Sequence, residues 1–312
     1  MIAKVIDIKD STIEEEKNLV DEIVKAANSQ KPIKERDLVS NNPEMKELQD
    51  VFVQNKTILE IKRGERRSDI ENRIKKVYPD FKGKPKNVKN DALGQDILSL
   101  FYLKPFEALQ KLGKLFNKDL YDKIFNNTYL IPQDYFYIWD FNQWMNEKIN
   151  ELREDLIVGQ ELNLEDNKKT SNSALFDQTR RWVISTLWLL LWYNKDVKDK
   201  LDVKFPSVVE IEELLDNKND QTFLMKETEM LHPVNLTSDL KKAIIRFIDL
   251  CHKNIVTVYN KAKNKDNKSA GLAVTTFSFR RSEFMSFLKE LLFDSDRLTD
   301  PLQEIVGSFL ED

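Results

Sequence analysis

Residues Asn28 to Lys34, with the sequence NSQKPIK, combine amide, hydroxyl and cationic side chains within one short segment. Asn28, Ser29 and Gln30 can hydrogen-bond a phosphate oxygen or the edge of a base, and Lys31 and Lys34 add positive charge beside them. The same residues also suit a structural role, because polar side chains at a helix end satisfy its free carbonyl groups. The pattern therefore predicts either a nucleic-acid contact or a helix termination.

A basic segment runs from Lys56 to Lys89. It holds twelve Lys and Arg against five Asp and Glu, a net charge of +7 in a chain of −4, so the remainder carries −11. A basic segment on an acidic body is typical of a protein that binds phosphate backbones. The alternative is a solvated helix face, Asp69 to Lys76, followed by a mobile lysine-rich loop, Lys82 to Lys89. The predicted nucleic-acid-binding residues are Asn28, Ser29, Gln30, Lys31, Lys34, Arg36, Lys62, Arg63, Arg66 and Arg67.

Glu60 and Lys62 are the weak candidates for catalysis. A carboxylate and a lysine two residues apart on a strand face the same side, where they can hold Mg²⁺ and polarise a water molecule, as in a nuclease. Such a site needs a second acidic residue on a neighbouring strand, and the upstream candidates, Asp37 and Asp50, lie in or near predicted helices. Apart from Mg²⁺ in this nuclease hypothesis, we expect no cofactor.

Cysteine and histidine are scarce, with one Cys and two His in the chain. This composition excludes an internal disulfide and leaves no thiolate cluster for zinc or iron–sulfur binding, so no metal site is predicted from these residues. Cys251 and His252 are neighbours, which point about 100° apart on a helix and make a poor nucleophile–base pair. We predict a cysteine in a helix core beside a surface histidine.

The elements that position these residues differ along the chain. Near the N-terminus the pattern predicts a strand over Ile2 to Ile8 and a helix from Ser11 to about Asn28. Asn42 and Pro43 predict the start of another helix, with the Asn42 side chain as its cap. Thr57 to Lys62 then reads as a strand, so this region is mixed α/β.

Helical patterns alone follow from about Asn87. Asn90 is predicted to cap a helix that runs to about Leu103, and Gly159 to Ser173 is the best linker. The fold class is therefore α+β and predominantly α-helical, with a small mixed α/β N-terminal region and an all-α C-terminal body. Three regions are predicted, 1–89, 90–158 and 174–312. The aromatic patch Tyr129 to Trp144 is expected to lead into a helix that ends near Leu156. Further helices are expected from Pro105 onward, over Asp119 to Phe125, over Ala174 to Tyr193, from Pro206 onward, over Ser238 to Lys263, and a last one from Ser282 to Phe293.

Val183 to Tyr193 is the most apolar run of the sequence. Its eleven residues are fewer than the roughly 20 needed to cross a bilayer. Arg180 and Arg181 precede it, so we predict a buried helix and no membrane association. The start of the chain lacks a basic, then apolar, signal-peptide pattern, and we expect a cytoplasmic protein.

The residues from Ala26 to Glu65 resemble those of the AIPR family, named for abortive infection and phage resistance. Three features carry the resemblance: Asn-Ser-Gln-Lys-Pro-Ile after a helix, then Arg-Asp-Leu, then Lys-Arg-Gly-Glu after a short strand. A second block, Ala92 to Asn126, agrees downstream, and the resemblance covers mainly residues 1–130. The family's upstream Asn-Gly-x-Gln-Thr element is missing. The resemblance therefore implies that a missing N-terminal segment or a partner protein completes the site, and pairing at the edge of strand Ile2 to Ile8 suggests a possible homo-oligomer.

Three functions remain open. The resemblance implies a bacterial antiphage defence protein of the abortive-infection type, or the C-terminal part of one, that binds nucleic acid or a phage component together with a partner. The second is a Mg²⁺-dependent nuclease. The third is a non-catalytic helical interaction scaffold, which predicts a large exposed apolar patch around Tyr135 to Trp144. Whether the chain is an enzyme is left undecided by its residues.

Overall fold

The structure is a computed structural model that describes residues 38–62, 66–110, 114–126, 130–158, 166–194, 202–216, 237–265, 274–293 and 295–310. The predicted strand Ile2 to Ile8, the helix from Ser11 and the Asn28 to Lys34 segment lie outside these residues.

A β-α-β arrangement dominates the first described part, which we call the N-terminal unit. A short 3₁₀ turn, Val39–Asn41, precedes helix α1, Pro43–Gln54. Strand β1, Thr57–Glu60, helix α2, Arg67–Val77, and strand β2, Lys86–Lys89, follow in chain order. The two strands are parallel, and Thr57 pairs with Lys86 while Glu60 pairs with Lys89. Because parallel strands need a crossover, α2 makes the connection between them.

Strand β1 is buried on both faces because successive side chains of a strand point in opposite directions. Ile58 packs with Val53 of α1 and with Ile70 and Ile74 of α2 in a small hydrophobic cluster. Leu59 points the other way and joins the main core of the molecule. The β1 strand therefore joins α2 to the rest of the chain.

Two predictions in this unit need correction. Lys86–Lys89, predicted as part of a mobile loop, forms β2. Its Val88 is the one buried position of four, so the sequence carries little strand signal, and pairing with β1 decides its conformation. The helix start at Pro43 is confirmed, but the Asn42 side chain does not cap α1: it donates hydrogen bonds to Glu44 and to the Tyr121 hydroxyl.

The remaining elements are helices, which we call the helical body. Their bounds are α3 Asn90–Asp96, a π-helix Ile97–Phe101, α4 Pro105–Gln110, α5 Lys118–Phe125, α6 Pro132–Val158, α7 Asp166–Tyr193, α8 Val208–Asp216, α9 Ser238–Lys265, α10 Val274–Ser278, α11 Arg281–Phe293 and α12 Ser295–Leu310. The fold class, predominantly helical with a small mixed N-terminal region, is confirmed.

Several helix predictions differ from the structure in detail. The segment from Asn90 to Leu103 is not one α-helix but α3 followed by a π-helix turn, and Leu103 has a positive φ of 48°. Asn90 does not cap this helix: it is the first residue of α3, after Lys89, and its side chain donates to the carbonyl of Ile61 at 2.8 Å. Helix α7 begins within the predicted linker, and α12 follows the helix that was predicted to be the last. The division into regions 1–89, 90–158 and 174–312 stays a prediction.

One continuous hydrophobic core extends from Met45 of α1 to Phe309 of α12. Most of the apolar run Val183 to Tyr193 lies inside it, with Ile184 and Leu187 fully buried, so the predicted buried helix is confirmed. Trp182 and Trp188 contribute the largest buried side chains of α7. Among the described residues, no helix combines the length and apolar character needed to cross a bilayer.

Candidate nucleic-acid interface

The carboxyl ends of β1 and β2 bring basic residues together. Lys62 lies just beyond β1, and Lys89 ends β2, where it pairs in register with Glu60. Because the strands are parallel, both ends lie at the same edge of the sheet. Lys62 and Lys89 are both exposed. The edge therefore presents two lysines that lie 27 positions apart in sequence.

Helix α2 adds an N-terminus to the same edge. Arg66 precedes its first residue in an extended conformation and is exposed. The N-terminus of a helix favours anions, because its first N–H groups are not bonded within the helix. Arg67 is less available, since its guanidinium donates to Glu71 one turn later at 2.9 Å. Arg66 thus supplies the exposed arginine here.

The buried and exposed faces of α2 are clearly separated. Ile70 and Ile74 point into the small cluster, whereas Lys75 and Lys76 in the last turn are exposed. Arg73 does not belong to the exposed basic set, because it reaches back to α1 and binds Gln49 and Asp50. The helix therefore carries its two available lysines at its C-terminal end.

Two other lysines of the basic segment, Lys86 and Lys56, are held by neighbouring side chains. Lys86 is bound to the helical body, where its Nζ lies 3.7 Å from Asp140, 3.5 Å from Glu147 and 5.9 Å from the centre of the Trp139 ring. Lys56 lies over the rings of Tyr78 and Phe81. Within the described ranges, no ion pair involves the remaining basic residues, which are all exposed. They lie at the carboxyl edge of the sheet, in the last turn of α2 and between α2 and β2, and we call this set the cationic face: Lys62, Arg66, Lys75, Lys76, Lys82, Lys84 and Lys89.

The structure thus places Lys62 and Arg66 of the predicted binding set on the cationic face and Arg67 beside it in an ion pair. The other predicted members, Asn28, Ser29, Gln30, Lys31, Lys34, Arg36 and Arg63, lie outside the described residues. Lysines 75, 76, 82, 84 and 89 were counted in the charge of the segment but were not named as contacts. The solvated helix face offered for Asp69 to Lys76 agrees with the exposure of Lys75 and Lys76, whereas the position of Lys89 in a strand was not predicted.

Glu60 does not meet a second carboxylate on the neighbouring strand. Its Oε1 accepts a hydrogen bond from Asn87 Nδ2 at 2.9 Å, and its partner in register is Lys89. Asp50, one of the two upstream candidates, is held by Arg73. Over the described part of the chain, no group of three or more His, Cys, Asp or Glu residues is arranged to hold a metal ion. The catalytic pair Glu60 and Lys62 stays a prediction.

The aromatic segment of α6 is not an exposed patch. Tyr135, Trp139, Phe141 and Trp144 are buried, and Phe141 packs edge-on against Trp188 of α7. The exposed surface that the scaffold hypothesis predicted at this segment is therefore absent from it.

Cys251 and His252 lie in α9. Cys251 is fully buried, as predicted, and burial raises the pKa of its thiol well above the usual value. The prediction of a surface histidine is wrong: His252 is only 5% exposed and packs edge-on against the Phe176 ring. Its burial lowers the pKa of the imidazole to about 4. The error arose because α9 contacts other helices on more than one face, which a single apolar stripe does not reveal.

Sequence reasoning missed a buried polar network between α7 and the α3–π-helix segment. Arg181 Nη1 lies 2.6 Å from Asp96 Oδ1, and the side chain also reaches Ser99 and Gln95 at 3.4 Å. Burial raises the pKa of the Asp96 carboxyl, an effect that Arg181 and Asn142 oppose. Ser185 donates to the carbonyl of Ser99 at 2.9 Å. Such networks with perturbed pKa values are candidates for functional sites. The signal in the sequence was an arginine pair directly before an apolar run.

A comparison with family models matches residues 1–257 to the family described as AIPR protein. The match reaches well beyond residues 1–130, on which the resemblance was recognised, and includes most of α9. Neither the curated proteins nor the solved structures gave a match.

Proposed function

The chain belongs to the AIPR family, whose name denotes abortive infection and phage resistance, and from this premise we propose that it binds nucleic acid through the cationic face. The observation that carries the proposal is the concentration of seven exposed Lys and Arg residues in a segment of net charge +7, in a chain of net charge −4. A partner, either a phage component or another polypeptide, forms part of the same proposal.

The chemistry of the cationic face suits phosphate groups better than bases. Six of its seven members are lysines, which bind phosphates as point charges, whereas base edges are read mainly by bidentate Arg, Asn and Gln side chains. The neighbouring Asn87 amide is engaged by Glu60. We therefore expect binding that depends little on base sequence and falls steeply with salt, because each phosphate contact releases counterions.

Fluorescence anisotropy on the full chain tests the proposal with duplex DNA, single-stranded DNA and RNA across a series of salt concentrations. Lys75→Gln combined with Lys76→Gln removes two adjacent lysines from the cationic face. We expect weaker binding at low salt and a reduction of the slope of log K against log[salt] by about 2, or about 1 for each lost contact.

A matched control is available on α9, where Lys241 and Lys242 are also adjacent and exposed. The control, Lys241→Gln with Lys242→Gln, removes the same charge and should leave the salt slope unchanged. Equal losses in both double variants would refute a localised interface, as would the absence of binding to every nucleic acid at low salt. Parallel reactions with Mg²⁺ would reveal cleavage, which the nuclease hypothesis predicts to disappear in Glu60→Ala.

A further inference from the structure

A cavity of about 350 Å³ lies in the helical body, away from the strands. Helix α4 contributes an apolar wall, α6 contributes an amide and α7 contributes charged groups. Cavities of this size fall within the range of small-molecule sites, which combine apolar walls with a few placed polar groups. The lining residues are Leu109, Asn146, Asp177, Gln178, Arg180 and Arg181.

Arg181 enters the cavity wall already fixed in position. Asp96, whose side chain is only 2% exposed, binds its Nη1 at 2.6 Å, Ser99 accepts from the same nitrogen at 3.4 Å, and Gln95 accepts from Nη2 at 3.4 Å. The Arg181 side chain remains 21% exposed. A guanidinium held by three side chains keeps its orientation without a ligand, which reduces the entropic cost of binding one.

Arg180 lies beside it in the cavity wall. Its guanidinium donates to Asn146 Oδ1 at 3.5 Å and to Asp177 Oδ1 at 3.4 Å, both long for hydrogen bonds to a charged donor. Its side chain is 19% exposed, and the Asp177 side chain is 42% exposed. An oxyanion that enters the cavity can compete with Asn146 and Asp177 for the Arg180 guanidinium.

We propose that this cavity binds a phosphate monoester of up to mononucleotide size, with the phosphate on the guanidinium groups of Arg180 and Arg181. Two guanidinium groups side by side match the several acceptor oxygens of a phosphate, and arginine binds such groups in a bidentate manner. Leu109 provides an apolar surface for the rest of the ligand. The proposal is independent of nucleic-acid binding by the cationic face, because it uses other elements.

The Asp177 carboxylate leads to a variant in which the affinity for phosphate should rise and not fall. Its carboxylate competes with the phosphate for Arg180 and repels it, so removal of this charge should strengthen binding. A purely structural role for the arginine pair predicts no such gain. The two variants Arg180→Gln and Asp177→Asn should therefore change the affinity in opposite directions.

Isothermal titration calorimetry on the full chain tests the site with three probes: inorganic phosphate, AMP and adenosine. We expect saturable binding of the two phosphates and none of adenosine. AMP tighter than inorganic phosphate would identify a nucleotide-sized ligand, and equal affinities would identify phosphate itself. Adenosine that binds as tightly as AMP would overturn the assignment, as would the absence of saturable binding of both phosphates.

Three variants locate the binding. Arg180→Gln should weaken phosphate binding between about tenfold and about a hundredfold, because it removes hydrogen bonds from a charged donor. Asp177→Asn should strengthen it. Arg246→Gln, which removes an exposed arginine of α9, should leave the affinity unchanged. Thermal unfolding without ligand confirms that each variant is folded, and an unchanged affinity in folded Arg180→Gln would refute the site.

Discussion

The N-terminal unit and the helical body each contain an arginine–aspartate pair that joins distant parts of the chain. In the unit, Arg73 of α2 meets Asp50 of α1, and their side chains are 44% and 58% exposed. In the body, Arg181 meets Asp96, and the aspartate is almost fully buried. The comparison separates two uses of charge: in the unit both paired groups remain in contact with water, whereas in the body the carboxylate is removed from water and joins α7 to the α3–π-helix segment.

The buried pair should show the difference most strongly. Arg181→Met removes the cation and leaves the Asp96 carboxyl buried without its charge partner, so we expect a loss of about 3–5 kcal/mol in unfolding free energy. Arg73→Met should cost only about 0.2–1 kcal/mol, because water screens the exposed pair. Urea unfolding monitored by circular dichroism measures both variants.

The double variant Arg181→Met with Asp96→Asn sharpens this result. It removes the buried charge that the single variant leaves behind, so it should recover part of the lost stability. Equal costs of Arg181→Met and Arg73→Met would contradict the contrast between the two regions.

Truncation of a buried apolar side chain should also cost more unfolding free energy in the helical body than in the N-terminal unit. Ile184 lies in the main core and Ile74 lies in the small cluster beneath α2, and both are buried. Ile184→Ala should cost about 4 kcal/mol and Ile74→Ala about 2, because the small cluster can close around a cavity more easily. Unfolding free energies compare the two variants, and a larger loss for Ile74→Ala would be the opposite of this expectation.

The burial of His252 in the helical body makes the unfolding free energy depend on pH. The pKa of its imidazole falls from an ordinary 6.5 to about 4 on folding, so the unfolded chain binds its proton more readily. The stability that this histidine contributes is therefore complete above pH 6.5 and is lost as pH falls from 6.5 towards 4, by at most about 1.4 kcal/mol per pH unit. Unfolding free energies measured between pH 7 and pH 5 report this slope.

His252→Gln provides the reference for the slope, because glutamine does not titrate. The difference in stability between the native chain and this variant should become smaller as the pH falls through this range. A difference that stays constant with pH would show that folding does not change the pKa of His252.

The smallest expected effect concerns Arg67 at the edge of the cationic face. Glu71→Gln breaks its ion pair one turn along α2 and should reduce stability by only about 0.3–0.5 kcal/mol. The released guanidinium should strengthen DNA binding about two- to fivefold at low salt, since it adds a cation near Arg66. Anisotropy titrations detect the gain, and an unchanged affinity would place Arg67 outside the interface.

The sequence by itself determined the features that depend on local signals. Pro43 and Pro105 marked helix starts because proline suits the first turn of a helix, and the run before Tyr193 gave a buried helix because its apolar side chains have no other stable place. The burial of Cys251, the helical fold class and the family followed in the same way. The charge of the Lys56 to Lys89 segment was also evident, since a count of charges needs no structure.

Only the tertiary structure decided which charges are available and which are held. Strand β2 forms because β1 lies beside it, and Lys86 is bound because Asp140 and Glu147 of α6 lie near it. Arg181 meets Asp96 across 85 positions of the sequence. These contacts are non-local, so the neighbouring residues in the chain do not predict them. The sequence around a lysine or arginine does not show whether its side chain faces water or a carboxylate.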